Sequence, residues 1–226
     1  MEKRRDSATA YIILADGFET IEALTPLDVL RRCGVEVTTI SLNQTRAVRS
    51  SHGVTVEADA TMEEYMLKRS NAGSSSSADN AGSSSSAGNA GSSSSAGSST
   101  TASSTVRQAL ILPGGYPGYK NLCDSPEVGA LITQFHKEGK LLCAICGAPT
   151  ALKANQICRG AAITCHTSVK EELSDYYSIL SSAVVKYMNI ITGMGAGRSL
   201  EFAFAIAEAL TSKEKVEEIK AKMEII

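Results

Sequence analysis

Two cysteines stand three positions apart in LLCAICGAPT, residues 141–150. Such a C-x-x-C offers three chemistries: a redox pair, half of a metal site, or a buried strand residue followed by a lone nucleophile. A thioredoxin-type pair needs both sulfurs at a helix start, and a zinc ribbon needs a second cysteine pair. Cys158 and Cys165 are seven apart and make no second C-x-x-C. Here the first cysteine lies inside an apolar run and the second ends it. On a strand, residues three apart face opposite sides, so the sulfurs should diverge. Cys143 then reads as a small core residue. Cys146 precedes Gly147 and Pro149, which suit a tight turn into a helix. That is a nucleophile elbow with cysteine in the place of serine. Free N–H groups at the helix start should favour thiolate and lower the thiol pKa.

The elements that hold such an elbow are legible as alternating patterns. Short apolar runs at 10–15, 35–42, 53–61, 109–115, 140–146 and 161–166 read as strands, and 184–193 as two short strand-like pieces around Asn189. Helical spacing runs through 20–34, 126–139, 148–155, 169–174, 199–212 and 213–223. Gly34 fits a C-cap, and Pro26 predicts a kink or a late start in the first helix. Strands alternating with helices imply an α/β domain, a mainly parallel sheet covered on both faces. Sites in such sheets form at the carboxyl ends of strands, where ADGFE, LPGG, AIC and TCH fall.

The chain has 226 residues and a formal charge of −2. A basic nucleic-acid footprint is absent, and no apolar run reaches the roughly 18 residues of a membrane span. The run YIILA is too short for a signal-peptide core. The expectation is a cytoplasmic protein whose six cysteines are thiols. NQT at Asn43 then reads as a surface turn rather than a glycosylation site. Residues 1–9 read as a tail and 10–226 as one domain. Within it, 71–105 is built on a nine-residue repeat, NAGSSSSA followed by Asp or Gly, too polar to bury and expected to be a disordered coil.

Six ordered motifs resemble one family. They are ADGFETIEALTPLDVLRRCGVEVTTISL, SSHGVTVEADAT, ALILPGGYPGYKNLCDSPEV, LCAICGAPTAL, ITCH and ITGMGAGRSLEFAFAIAEAL. Together they are similar to the ThiJ/PfpI superfamily, and within it to the Parkinson-disease-associated protein deglycase, glyoxalase III-type branch. The resemblance implies a flavodoxin-like sandwich related to class I glutamine amidotransferases, usually homodimeric and needing neither cofactor nor metal. It implies Cys146 as nucleophile and oxidation-sensitive thiol, with Glu22 as the carboxyl group bonded to it. Two anions cannot both persist in one desolvated pocket, so the Glu22 pKa should rise. By the same resemblance His166 is a proton shuttle, oriented by Asp28. Gly115 and Gly147 supply oxyanion-hole N–H groups, and His52 lies near a neighbouring subunit's pocket. Relatives mostly carry Pro after the histidine; here it is Thr167. GMGAGRS (193–199) lacks the full dinucleotide pattern and reads as a turn into a helix, with Met194 and Ala196 lining the pocket.

The implied activity is conversion of 2-oxoaldehydes (methylglyoxal, glyoxal) to hydroxyacids, or deglycation of glyoxal-modified groups. The alternative is an oxidative-stress sensor and chaperone whose cysteine is oxidised to sulfinate. A PfpI-like peptidase needs histidine directly after the nucleophile, and residue 147 is glycine.

Overall fold

The computed structural model describes residues 8–74 and 107–225. Their first stretch holds β1 (Thr9–Leu14), α1 (Thr20–Arg32), β2 (Glu36–Ser41), β3 (Ala47–Arg49), β4 (Thr55–Glu57), β5 (Ala60–Thr61) and α2 (Met62–Ser74). The second opens with β6 (Gln108–Leu112), α3 (Gly118–Asp124), α4 (Pro126–Lys137), β7 (Leu141–Ile145) and α5 (Pro149–Ala154). It continues through β8 (Ala162–Ile163), α6 (Lys170–Ser174), β9 (Ser178–Ile179), β10 (Val184–Tyr187), β11 (Ile190–Gly193), α7 (Ser199–Leu210) and α8 (Lys213–Lys222). Seven strands form the main sheet in the order β10-β11-β7-β6-β1-β2-β5. All its pairings are parallel except the β10–β11 hairpin at one edge.

Strand alternation sorts the core into two layers. Ala10, Ile12 and Leu14 of β1 face one core, while Ile13 and Ala15 face the other. The first core is closed by α1, α7 and α8 through Val29, Leu30, Phe202, Ile206, Val216 and Ile219. The second is closed by α2, α4 and α5 through Tyr65, Leu131, Phe135 and Leu152. Both faces of the sheet are therefore covered, as the near-continuous apolar strands require.

The chain leaves β1 toward β2 on one side and enters β6 on the other, so the order reverses between β1 and β6. A crevice opens at the carboxyl ends of strands at such a switch point. The loops after β1 and β6 and the end of β3 are tied together there: the Gly17 N–H donates to the Arg49 carbonyl, and the Glu19 N–H to the Gly114 carbonyl.

Several sequence expectations shift. Thr9, placed in the tail, already belongs to β1. The helix α1 has no late start; Glu19 caps it by accepting from the Glu22 N–H, and it runs through Pro26. Gly34 has φ +80°, the left-handed conformation that suits the residue after a helix. The 53–61 run divides into β4, which pairs antiparallel with β3, and β5 at the sheet edge. The 161–166 run yields only β8, which pairs with β9 outside the main sheet. α2 runs past Asn71 to Ser74, into the expected coil; the rest of that segment lies outside the described residues.

Candidate active site

β7 ends at Ile145, and Cys146 turns the chain with φ 64°. This left-handed conformation costs a side-chain-bearing residue about 1–2 kcal/mol. Hydrogen bonds on both sides hold it. The Cys146 N–H donates to the Gly193 carbonyl at 3.0 Å, and the His166 N–H donates to the Cys146 carbonyl at 2.9 Å. β11 and the end of β8 thus clamp the elbow from two directions. Alternation stops at Ile145, so the expected divergence of the two sulfurs does not apply as argued. Cys143 is wholly buried in the core layer under α1 and α7, and Cys146 packs on the edge of that same layer. Both are free thiols.

Glu22, on the first turn of α1, is fully buried. Its Oε2 accepts the Gly114 N–H at 2.9 Å, and the carboxyl group is hydrogen-bonded to the Cys146 thiol. Oε1 is buried without a backbone, hydroxyl or amide partner. Burial, reinforced by the charge of Glu19, raises the Glu22 pKa from 4.5 to about 7, against the pull of the Cys146 and Gly114 hydrogen bonds. The expected rise is therefore present.

The expected fall in the thiol pKa is not. Burial first, then the charge of Glu22, push Cys146 up to about 12, while the Gly115 and Gly147 N–H groups pull it down. The two glycine donors are outweighed by the burial of the sulfur and by the adjacent Glu22. Cys146 at rest is a thiol beside a carboxyl group that titrates near neutrality.

Gly114 was not singled out by sequence. A Cβ there would lie 2.6 Å from Cys146 Cβ and 2.7 Å from Glu22 Oε2, so only glycine lets the two meet. The signal was the doubled glycine of LPGG, of which only Gly115 was singled out. Gly115 has φ +89° and a Cβ there would meet backbone at Glu19, Gly17 and Phe18. Gly114→Ala is expected to cut turnover by at least about 100-fold by displacing the reacting groups. Thermal unfolding read beside initial rates separates this from collapse, and near-normal rates in the folded variant would refute the close-approach argument. Tyr119 was also missed: a Cβ at Gly147 would lie 2.7 Å from its ring, so Tyr119 walls that side of the elbow.

His166 is exposed. Its Nδ1 accepts from the Ser168 N–H at 3.2 Å and lies 2.9 Å from Ser168 Oγ, capping the short turn Thr167–Val169. Nδ1 acting as acceptor puts the ring proton on Nε2. Asp28 is not brought to this ring within the chain; it pairs with Arg32 at 2.7 Å on the exposed face of α1. His52 is exposed on the β3–β4 turn, 3.1 Å from Ser51 Oγ. That turn is tied to the start of α1 by Ser51 N–H donating to the Phe18 carbonyl and by Thr20 Oγ1 donating to Ser50 Oγ. Met194 is half-buried after β11, and a Cβ at neighbouring Gly195 would sit 3.5 Å from His166 Cδ2. No cluster of His, Cys, Asp or Glu among the described residues could hold a metal ion.

A parallel α/β sheet with a cysteine elbow at its switch point, paired to a buried glutamate, defines a cysteine-centred flavodoxin-like protein. The DJ-1/PfpI family model matches residues 8–209, and the chain belongs to that family. It is 32% identical over 214 residues to the Drosophila melanogaster protein dj-1beta, covering 94% of this chain and 95% of that protein. A crystal structure of Drosophila melanogaster DJ-1beta superposes with a TM-score of 0.78 at 31% identity, covering 97% of this chain and 99% of that one. A glutathione-independent glyoxalase from Caenorhabditis elegans, DJR-1.2, is 39% identical over 107 residues, 47% of this chain and 56% of that protein. Among the described residues no helix is long and apolar enough to cross a membrane.

Proposed function

We propose that the protein converts 2-oxoaldehydes such as methylglyoxal to 2-hydroxyacids without a cofactor, using Cys146 as nucleophile and Glu22 as proton carrier. The observation that carries this is the pairing of buried Glu22 with the half-buried Cys146 sulfur, which also faces the Gly115 and Gly147 N–H groups. In the first step the thiol sulfur bonds to the aldehyde carbon while its proton passes to the Glu22 carboxylate. The aldehyde oxygen becomes an alkoxide held by the two glycine N–H groups, then takes the proton from Glu22 to give a hemithioacetal. Glu22, again a carboxylate, removes the proton from that carbon to give an enediolate and returns it to the adjacent carbon, while the hydroxyl proton passes to the adjacent oxygen, leaving a 2-hydroxy thioester. Water cleaves the thioester to the hydroxyacid and restores the thiol. The net reaction adds one water. Attack at the same carbon of a glyoxal-modified amine would release the amine. Here His166 acts first through its backbone N–H, which holds the elbow, with its Nε2–H as the donor available for shuttling.

The test is turnover of methylglyoxal in the absence of added thiol, with the hydroxyacid identified as product. Its absence at high protein concentration would refute the proposal. The same donors around a half-buried sulfur also suit a sulfinate, which favours a sensor role as the second reading. Loss of turnover combined with selective oxidation of Cys146 by mild peroxide would select it. We further propose a second copy of this chain as the partner of the α1 face, where Ile21 and Val54 are exposed near His52. Light scattering on the purified protein reads this directly.

A further inference from the structure

Outside the elbow the chain carries a second cysteine–imidazole pair. The Cys158 sulfur lies 3.8 Å from His136 Nε2, joining the turn after α5 to the last turn of α4. Cys158 is half-buried, with φ 47°. The two faces of the imidazole edge are unlike. Nε2 meets the sulfur, whereas Nδ1 is buried and has no hydrogen-bond partner. A buried N–H without an acceptor is the costlier orphan, so the proton belongs on Nε2 and Nδ1 stays bare. The imidazole then presents an N–H donor to the sulfur, and such a donor holds negative charge on it.

The other cysteines lack this setting. Cys33, Cys143 and Cys165 are buried. Cys123 is as accessible as Cys158, but burial and the acidic Asp124 and Glu172 push its thiol up. Beside Cys158 stands Arg159, exposed, with its guanidinium over the Tyr176 ring at 5.4 Å. An exposed cation next to a donor-assisted thiol suits a small carboxylate-bearing disulfide.

We propose that Cys158 is a thiol–disulfide exchange site that takes low-molecular-weight disulfides, with His136 as the group that holds its thiolate. The Cys158 thiolate attacks one sulfur of the disulfide. That S–S bond breaks, a mixed disulfide forms on Cys158, and the other half leaves as a thiolate that takes a proton from water. Excess free thiol reverses the step. The site lies beyond the end of α5 opposite to the one carrying the elbow, so exchange there proceeds whether or not Cys146 turns over aldehydes.

The experiment treats the full-length protein with oxidised glutathione and maps the adduct by peptide mass spectrometry over time. Among cysteines other than Cys146, Cys158 is expected to carry the adduct first, ahead of Cys123, and Cys158→Ser to remove it. His136→Leu, which removes the donor, is expected to slow the Cys158 adduct about tenfold, the equivalent of losing one hydrogen bond to a charged sulfur, with the fold checked by thermal unfolding. Modification of Cys123 before Cys158 in the unaltered protein would overturn the proposal. So would a wild-type rate at Cys158 in folded His136→Leu.

Discussion

Replacing Cys146 by serine is expected to reduce methylglyoxal turnover by at least about 10³-fold while the protein stays folded. The change is nearly isosteric, so the Gly115 and Gly147 donors and Glu22 keep their places. What disappears is the nucleophile. A serine hydroxyl is a poorer nucleophile than a thiol and gives up its proton less readily to a carboxyl group that titrates at about 7. Cys143→Ala makes the opposite case. Cys143 is wholly buried and walled by apolar core, which holds its thiol well above the ordinary range. Its loss should cost about 1–2 kcal/mol of stability through the small cavity left, with turnover of the folded protein within about twofold of normal. Initial rates beside urea unfolding distinguish the two. An equally inactive but folded Cys143→Ala would restore the redox-pair reading of C-A-I-C.

The left-handed turn at Cys146 adds a second readout. It costs about 1–2 kcal/mol in any residue with a Cβ, and glycine escapes that cost. Cys146→Gly should therefore be more stable than Cys146→Ala although both are inactive. Equal stability would mean that the turn stores no strain.

What was legible in the sequence was what local pattern dictates. The short apolar runs YIILA and LLCAI, the elbow glycine and proline, and the helical spacing of 126–139 and 199–212 each correspond to an element in place. The misreadings have physical causes. β3 and β5 are three and two residues long, too short for any period to register. α2 passes from MEEYMLKR into Asn71–Ser74, whose composition argues for coil; a helix already nucleated can propagate through poor formers. The acid–thiol pair could be named only through the resemblance, because its two members lie on different elements that a third, the Gly114 loop, brings together. The direction of the thiol shift could not be read at all. It depends on how deeply the sulfur is buried and on how near Glu22 sits, and neither is written in C-A-I-C.

Glu22→Gln provides the largest expected change in pH behaviour, and its two consequences run in opposite directions. In the native protein Glu22 binds its proton more tightly than its ordinary value of 4.5 allows, titrating at about 7 because burial disfavours the charge. A carboxyl group raised on folding contributes its stability below the unfolded value and loses it as pH climbs through the folded one. The window therefore runs from about 4.5 to about 7, and above it the ionised, buried Glu22 costs about 3 kcal/mol. Glutamine carries no such charge. Its amide oxygen can still accept the Gly114 N–H, and its NH₂ can face the sulfur. Glu22→Gln is therefore expected to be more stable than the native protein at about pH 8 and nearly equal to it at about pH 4, by chemical denaturation. Catalysis should move the other way. The proposed mechanism needs the carboxylate, so kcat/KM should rise with pH and level off above about 7, whereas Glu22→Gln should lose about 10²–10⁴-fold and with it that inflection. A variant that is slower and also less stable at high pH would show Glu22 to be a structural hydrogen-bond acceptor. One that is more stable but keeps the native pH–rate profile would place the catalytic proton elsewhere, with the Nε2–H of His166 the next group to test.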